Sequence, residues 1–296
     1  MCMMQQGRIL KGIGGFYYVE SNRIIYECKA RGVFRKRGLT PLAGDLVEFT
    51  PNGDATGAIE AILPRKTMLV RPACANLDQM LLIVSVCAPA PNLPVLDKML
   101  AVAVHSGITP ILVLSKTDLA SPQPLLSIYE NAGIQTLAVS AVSGAGIAQL
   151  KTLLQGKLSV FTGNSGVGKS SLLNQLDPHF SQPTGAISTK LGRGRHTTRQ
   201  VELLSLPCGG YVADTPGFST VDVERYSVIQ KEELPGCFPE FQQYLSCCKF
   251  TSCSHTCERG CAVLQAVQQG EIAPSRHQSY VRLYQQAKEQ KPWEQK

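Results

Sequence analysis

Hydrophobic positions change rhythm twice along the chain, and each rhythm predicts a different architecture. Up to about residue 66, short runs recur between Gly, Asn and Pro: Gly7–Leu10, Phe16–Glu20, Ile24–Cys28, Leu46–Thr50 and Ile59–Leu63. Such alternation, with no long helical stripe, predicts a small antiparallel β-barrel of the oligonucleotide-binding type. From about 67 to 228 the apolar runs become nearly continuous, as in Met80–Val86 and Ile111–Leu114. Those are parallel strands covered on both faces. Between them Leu96–His105 has the apolar stripe of a helix, with Asp97 and Lys98 expected on its solvated face and His105 at its end. After residue 228 Gln, Ser and Cys take over, and only Pro274–Lys288 regains a helical stripe, with Tyr280, Leu283 and Tyr284 on one face. The chain therefore reads as a multidomain α/β protein: a barrel over 1–66, a doubly wound sheet domain over 67–228 and a small C-terminal domain over 229–296.

The chemistry sits at the ends of the apolar runs. Gly163-Asn164-Ser165-Gly166-Val167-Gly168-Lys169-Ser170 follows the strand-like Leu158–Thr162 and precedes a helix-compatible segment beginning Ser170-Ser171. This is the G-x-x-x-x-G-K-[ST] phosphate loop, whose glycines let backbone N–H groups face phosphate oxygens at a helix N-terminus. Lys169 would reach the β- and γ-phosphates, and Ser170 would ligate magnesium. Asp214-Thr215-Pro216-Gly217 follows Tyr211–Ala213 and has the form of a D-x-x-G element. Its Asp214 would hold magnesium through water, and the Gly217 amide would contact the γ-phosphate. Ser115-Lys116-Thr117-Asp118 ends a buried strand as a variant of the guanine-reading N-K-x-D motif, and Ser140-Ala141 resembles the S-A element behind the base. A carboxylate at Asp118 accepts two hydrogen bonds that guanine supplies and adenine does not, so the wrong base leaves it unpaired.

The order of these motifs is unusual. GTPases ordinarily run phosphate loop, switch threonine, D-x-x-G, base motif, S-A. Here the base motif and S-A stand at 115–118 and 140–141, ahead of the phosphate elements at 163–170, 197–198 and 214–217. The domain reads as a circularly permuted P-loop GTPase. A doubly wound sheet accepts such a rearrangement because its site gathers loops from the strands' carboxyl ends whatever their chain order.

Charge and cysteine content narrow the setting. Twenty-nine basic against 22 acidic residues give a net charge of +7, which favours a polyanionic partner. Lys29, Arg31, Arg35, Lys36 and Arg37 crowd near Phe34, Tyr17, Tyr18 and Tyr26, a composition suited either to RNA contact or to a solvated basic loop. The stretch Pro178–Val201 lacks acids and carries Lys190, Arg193, Arg195 and Arg199, as a basic arm for RNA phosphates would. No apolar run reaches membrane-spanning length and the N-terminus lacks a signal-peptide segment, so a cytoplasmic protein is expected. Eleven cysteines then argue for thiols or metal. Cys248-x4-Cys253-x-His255-x5-Cys261 offers four ligands for one zinc in a C-terminal zinc-binding helical domain, with Cys247 and Cys257 as alternates.

A barrel, a permuted GTPase and a Cys3His tail together resemble the ribosome small-subunit-dependent GTPase A family of bacteria. The resemblance spans the chain and is carried by Thr40–Asp45, Gly163–Ser170, Gly192–Thr198, Asp214–Phe218 and the Cys248, Cys253, His255 and Cys261 set. It implies GTP hydrolysis stimulated by the small ribosomal subunit, late in that subunit's maturation. It also implies GTP and GDP, magnesium and one zinc as ligands, and the subunit with its rRNA as partner. No membrane or DNA partner is expected, and nothing in the sequence suggests more than a monomer. Action on the large subunit, or a non-catalytic GTP-gated RNA-binding module, are the alternatives. Ser115 stands where most GTPases have Asn; being shorter, it predicts a weaker tie between base loop and phosphate loop and a modest nucleotide affinity. Gly166 replaces the Asn that potassium-using GTPases often carry. Phe218 stands where a water-orienting glutamine is common, so unassisted turnover is expected to be on the order of 10⁻⁴ to 10⁻² per second. His196 is a candidate to position water, or alternatively to touch RNA, and Thr197 or Thr198 to close on magnesium and the γ-phosphate.

Overall fold

The computed structural model describes residues 3–32, 34, 38–70, 72–177, 201–214 and 229–289, with Asp214 described by its backbone alone. Arg35–Arg37, the basic stretch with His196, Thr197 and Thr198, and Thr215–Phe218 lie outside the described residues.

Strands β1 (Gln5–Ile13), β2 (Phe16–Ser21), β3 (Ile24–Ala30), β4 (Leu46–Pro51) and β5 (Thr56–Ile62) close into a barrel in the order β1-β2-β3-β5-β4. Neighbours run antiparallel except β3 and β5, which pair in parallel. Inward positions of every strand meet in one core of Ile9, Val19, Cys28, Val47, Phe49 and Ile59. Phe34 joins that core at 6% exposure, so its ring is turned to the barrel interior and not to an RNA contact. Burying such a side chain stabilises by roughly 1.5–3 kcal/mol. Tyr17 and Tyr26 are also partly buried against the core, and the Tyr18 hydroxyl donates to Glu27 at 3.0 Å.

The Thr40–Asp45 segment has a structural explanation. The buried Asp45 carboxylate accepts from the Leu42 amide at 2.7 Å and from Arg65 Nε and Nη2 at 2.7 and 2.8 Å. Gly44 has a φ of +91°, and a Cβ there would lie 2.0 Å from the Ala75 carbonyl oxygen, so only glycine fits. Ala75 belongs to a short hairpin of β6 (Met68–Leu69) and β7 (Cys74–Ala75).

A six-stranded sheet follows, built from β8 (Gln79–Ser85), β9 (Thr109–Ser115), β10 (Gln135–Ala138), β11 (Leu158–Thr162), β12 (Glu202–Ser205) and β13 (Tyr211–Asp214). Its order is β10-β9-β8-β11-β13-β12, with β9 parallel to β10, β11 parallel to β13, and β12 antiparallel. Counting from β11 and letting β8–β10 come after β13 restores the ordinary GTPase order, which is the structural form of the permutation. β8 and β11 are buried along their whole lengths, as continuous apolar runs require. Helices α1 (Leu93–His105), α2 (Gln123–Asn131), α3 (Ile147–Leu154) and α4 (Lys169–Leu176) connect the strands. Asn92 caps α1 by accepting the Val95 amide.

The described residues fall into two compact units. One holds the barrel with 151–161 and the described part of 186–218; the other holds Met80–Leu150, the described part of 162–185 and the C-terminal residues. In the first, Lys11 pairs with Glu202 at 2.6 Å and the Tyr211 hydroxyl donates to Glu20 at 2.7 Å, fastening the barrel to β12 and β13. In the second, two 3-10 segments (Leu234–Cys237 and Pro239–Cys247) lead to α5 (Ala262–Gln268) and α6 (Pro274–Glu289).

One expectation for α1 is overturned there. Asp97 is buried rather than solvated. It accepts from the Tyr129 hydroxyl at 3.0 Å and from Arg276 Nη1 of α6 at 2.7 Å. Arg276, 1% exposed, also bonds Glu240 through Nε at 2.7 Å and Nη2 at 3.1 Å, and lies over the Phe238 ring. Burial opposes its charge, but the Asp97 and Glu240 carboxylates outweigh that and raise its pKa. Among the described residues no helix is long and apolar enough to cross a membrane.

Candidate functional site

The phosphate loop runs from the end of β11 into α4. Gly163 has a φ of +148°, and a Cβ on it would sit 2.2 Å from the Ile83 carbonyl oxygen of β8, so the chain can leave the strand there only as glycine. Gly166 and Gly168 also have positive φ, while Val167 points inward and is buried. Asn164, Ser165, Ser170 and Ser171 stand at partly or fully exposed positions of the same loop and first turn. Lys169 Nζ donates to the carbonyls of Gly163 at 2.5 Å and Asn164 at 2.7 Å, folding the lysine back over the loop. Burial lowers its pKa.

The base motif lies beside this loop although it precedes it in sequence. Ser115 Oγ is 2.6 Å from the Val167 carbonyl and 3.2 Å from that of Val84; its single proton serves the nearer. The serine thus ties the base strand to the phosphate loop despite its short side chain. Its reach suffices because Val167 is drawn inward. Lys116, at a φ of +61°, donates through Nζ to the Ala88 carbonyl at 2.5 Å. Asp118 accepts from Ser140 Oγ at 2.6 Å, and that same oxygen accepts from the amides of Val142 and Ser143. Ser140 therefore holds both the carboxylate and its own turn. The Ala141 carbonyl accepts from Gln175 of α4 at 3.0 Å, linking the S-A turn to the helix of the phosphate loop.

The second cluster lies between the 3-10 segments and α6. Ligand atoms of Cys248, Cys253, His255 and Cys261 all lie within 4.8 Å of one another. His255 Nδ1 is 3.5 Å from both Cys248 and Cys261 sulfurs, which are 3.9 Å apart. A tetrahedral site with Zn–S of about 2.3 Å and Zn–N of about 2.0 Å has edges of roughly 3.5–3.8 Å, close to the separations among Cys248, His255 and Cys261, so the cluster is compatible with zinc. Cys247 and Cys257 are exposed and lie outside the cluster.

The cluster's supports were not legible in the spacing. Glu258 accepts from the amides of Ser254, Thr256 and Cys257 and from the Ser254 hydroxyl. His277 Nε2 donates to the His255 carbonyl and the Tyr280 hydroxyl to that of Ser254, each at 2.8 Å. These bonds hold His255 in its left-handed conformation, φ +57°.

A doubly wound sheet with a phosphate loop, an aspartate-bearing base motif and permuted strands defines a class, the circularly permuted P-loop GTPases. The comparisons specify it further. The RsgA GTPase family profile matches residues 62–224 and the RsgA N-terminal domain profile residues 6–59. The small ribosomal subunit biogenesis GTPase RsgA of Alkaliphilus metalliredigens is 44% identical over 95% of this chain and 97% of its own. Its counterpart from Geobacillus thermodenitrificans is 45% identical over 98% and 99%. The crystal structure of YjeQ from Thermotoga maritima superposes with a TM-score of 0.83 at 35% identity, covering 98% of this chain and all of that one. That of YloQ, a circularly permuted GTPase, gives 0.80 at 35% identity over 98% and 97%. The chain belongs to the RsgA GTPase family.

Proposed function

We propose that this protein is a GTPase that binds the small ribosomal subunit through its rRNA and hydrolyses GTP in response, during that subunit's maturation. The Ser115–Val167 bond carries the reading, because it joins a guanine-type base motif to a phosphate loop from which it is 52 residues distant in reversed order. The relatives named as small-subunit biogenesis GTPases support the target.

In this reading Asp118, oriented by Ser140, selects guanine, while Lys116 and Ala141 flank the base. Amides of Gly163–Ser171 cradle the phosphates, and Lys169 turns from its loop carbonyls to phosphate oxygens. Ser170, Thr198 and Asp214 would hold magnesium, which neutralises phosphate charge when bound. Thr197 and Gly217 would contact the γ-phosphate, and His196 would position the attacking water. Cys248, Cys253, His255 and Cys261 would hold a structural zinc. The working domains are the barrel over 1–66, the GTPase over 67–228 and the zinc domain over 229–296, in a cytoplasmic monomer.

The test is GTP turnover by the zinc-loaded protein alone and with purified small or large subunits. Stimulation by small subunits only is expected. Stimulation by large subunits only, or by neither, would refute the reading.

A further inference from the structure

Between β8 and α1 the chain makes a turn that none of the GTPase motifs includes. Ser85, the fully buried last residue of β8, shapes it: its Oγ accepts from the Cys87 amide and donates to the Ala88 carbonyl, both at 3.2 Å. That carbonyl is the acceptor that receives Lys116 Nζ at 2.5 Å, so one oxygen with two lone pairs serves both donors. The turn also abuts the phosphate loop. A Cβ on Gly166 would lie 3.7 Å from the Pro89 ring, and Pro89, Gly163 and Asn164 line one pocket.

We infer that Ser85 is a positioning residue for guanine-nucleotide binding, acting through the Ala88 carbonyl on the Lys116 ammonium. The inference rests on the guanine-site reading above. Lys116 is fixed at one end by its left-handed backbone, which only a few residues adopt readily. With the ammonium held at Ala88, its four-carbon stem is stretched between two anchors as an apolar rail against which a flat base can lie. A lysine stem otherwise loses considerable rotamer freedom on binding, and a pre-set stem avoids that cost. Without the Ser85 hydroxyl the Ala88 carbonyl loses one of the two donors that orient it. A stacking rail serves any purine, so Ser85 governs affinity and leaves base choice to Asp118.

The experiment is a double-mutant cycle on the zinc-loaded full chain, reading the dissociation constant of fluorescent GDP. Ser85→Ala should weaken binding about tenfold in the wild-type background, the worth of one or two hydrogen bonds. In a Lys116→Met background the same change should cost less than twofold, because the group it acts through is gone. In subunit-stimulated turnover, Ser85→Ala should raise KM for GTP while leaving kcat within twofold. Equal losses in both backgrounds would show that Ser85 only supports the fold and would overturn the inference. A wild-type protein that binds no GDP would instead remove the guanine-site reading itself.

Discussion

Under the proposed function, the short Ser140–Asp118 bond bears directly on base choice. Ser140 Oγ donates to one Asp118 carboxylate oxygen at 2.6 Å, and in the proposed reading this bond orients the carboxylate toward guanine. Guanine offers a 2-amino group that inosine lacks, and a carboxylate left half-paired is penalised. Wild-type protein should therefore prefer GDP over IDP by about tenfold or more, and Asp118→Ala should abolish that preference, as competition titrations would show. An unchanged ratio would sink the role of Asp118. Ser115 shows where residue-level reading falls short. Its side-chain length was visible in sequence, but the inward turn of Val167 that brings a carbonyl within 2.6 Å was not. Phe34 failed for the same kind of reason: its basic neighbours were legible, but not the barrel core that takes its ring.

At the scale of elements, the zinc-type cluster and the α1–α6 contact rest on different physics. Metal analysis should find one zinc per chain, retained by Cys247→Ser and Cys257→Ser and lost by Cys253→Ser. Full retention by Cys253→Ser would contradict the assigned quartet. The loop around it depends on Glu258, whose carboxyl burial pushes up but which the Ser254 hydroxyl and neighbouring amides hold down at about 2, from an ordinary 4.5. Because the folded pKa is depressed, its stabilising contribution is complete above about pH 4.5 and fades as pH falls toward 2. The melting-temperature gap between wild type and Glu258→Gln should hence be constant above pH 4.5 and close below it; a gap that widens in acid would be inconsistent. For the ion-pair network, Arg276→Met leaves two buried carboxylates without their cation and should destabilise by about 3–5 kcal/mol in urea unfolding. A loss under 1 kcal/mol would mean water replaces the arginine. The sequence offered the four residues of the cluster because they recur at short spacing. It hid Asp97–Arg276 because the partners are 179 residues apart and a charged residue on an amphipathic helix reads as solvated.

Across the whole molecule, the motif order announced the permutation, and strand order β10-β9-β8-β11-β13-β12 gives it a physical form. Alternation in the first 66 residues and continuous apolar runs thereafter were enough for barrel and sheet, because burial on one face or two leaves different patterns in the chain. What the patterns did not carry was how the barrel is fastened. Lys11 to Glu202 and Glu20 to Tyr211 each bridge 191 residues, and pairs of that separation have no local signature.

The Arg276 network also bears on how this protein can be taken apart. A fragment that ends at residue 228 keeps Asp97 and Tyr129 but discards Glu240 and the guanidinium that compensates the Asp97 carboxylate. Such a fragment would be handicapped by an uncompensated buried charge on α1, whatever the state of its phosphate loop. Dissecting the GTPase from its tail therefore calls for neutralising Asp97 in the same step, or for leaving α6 attached.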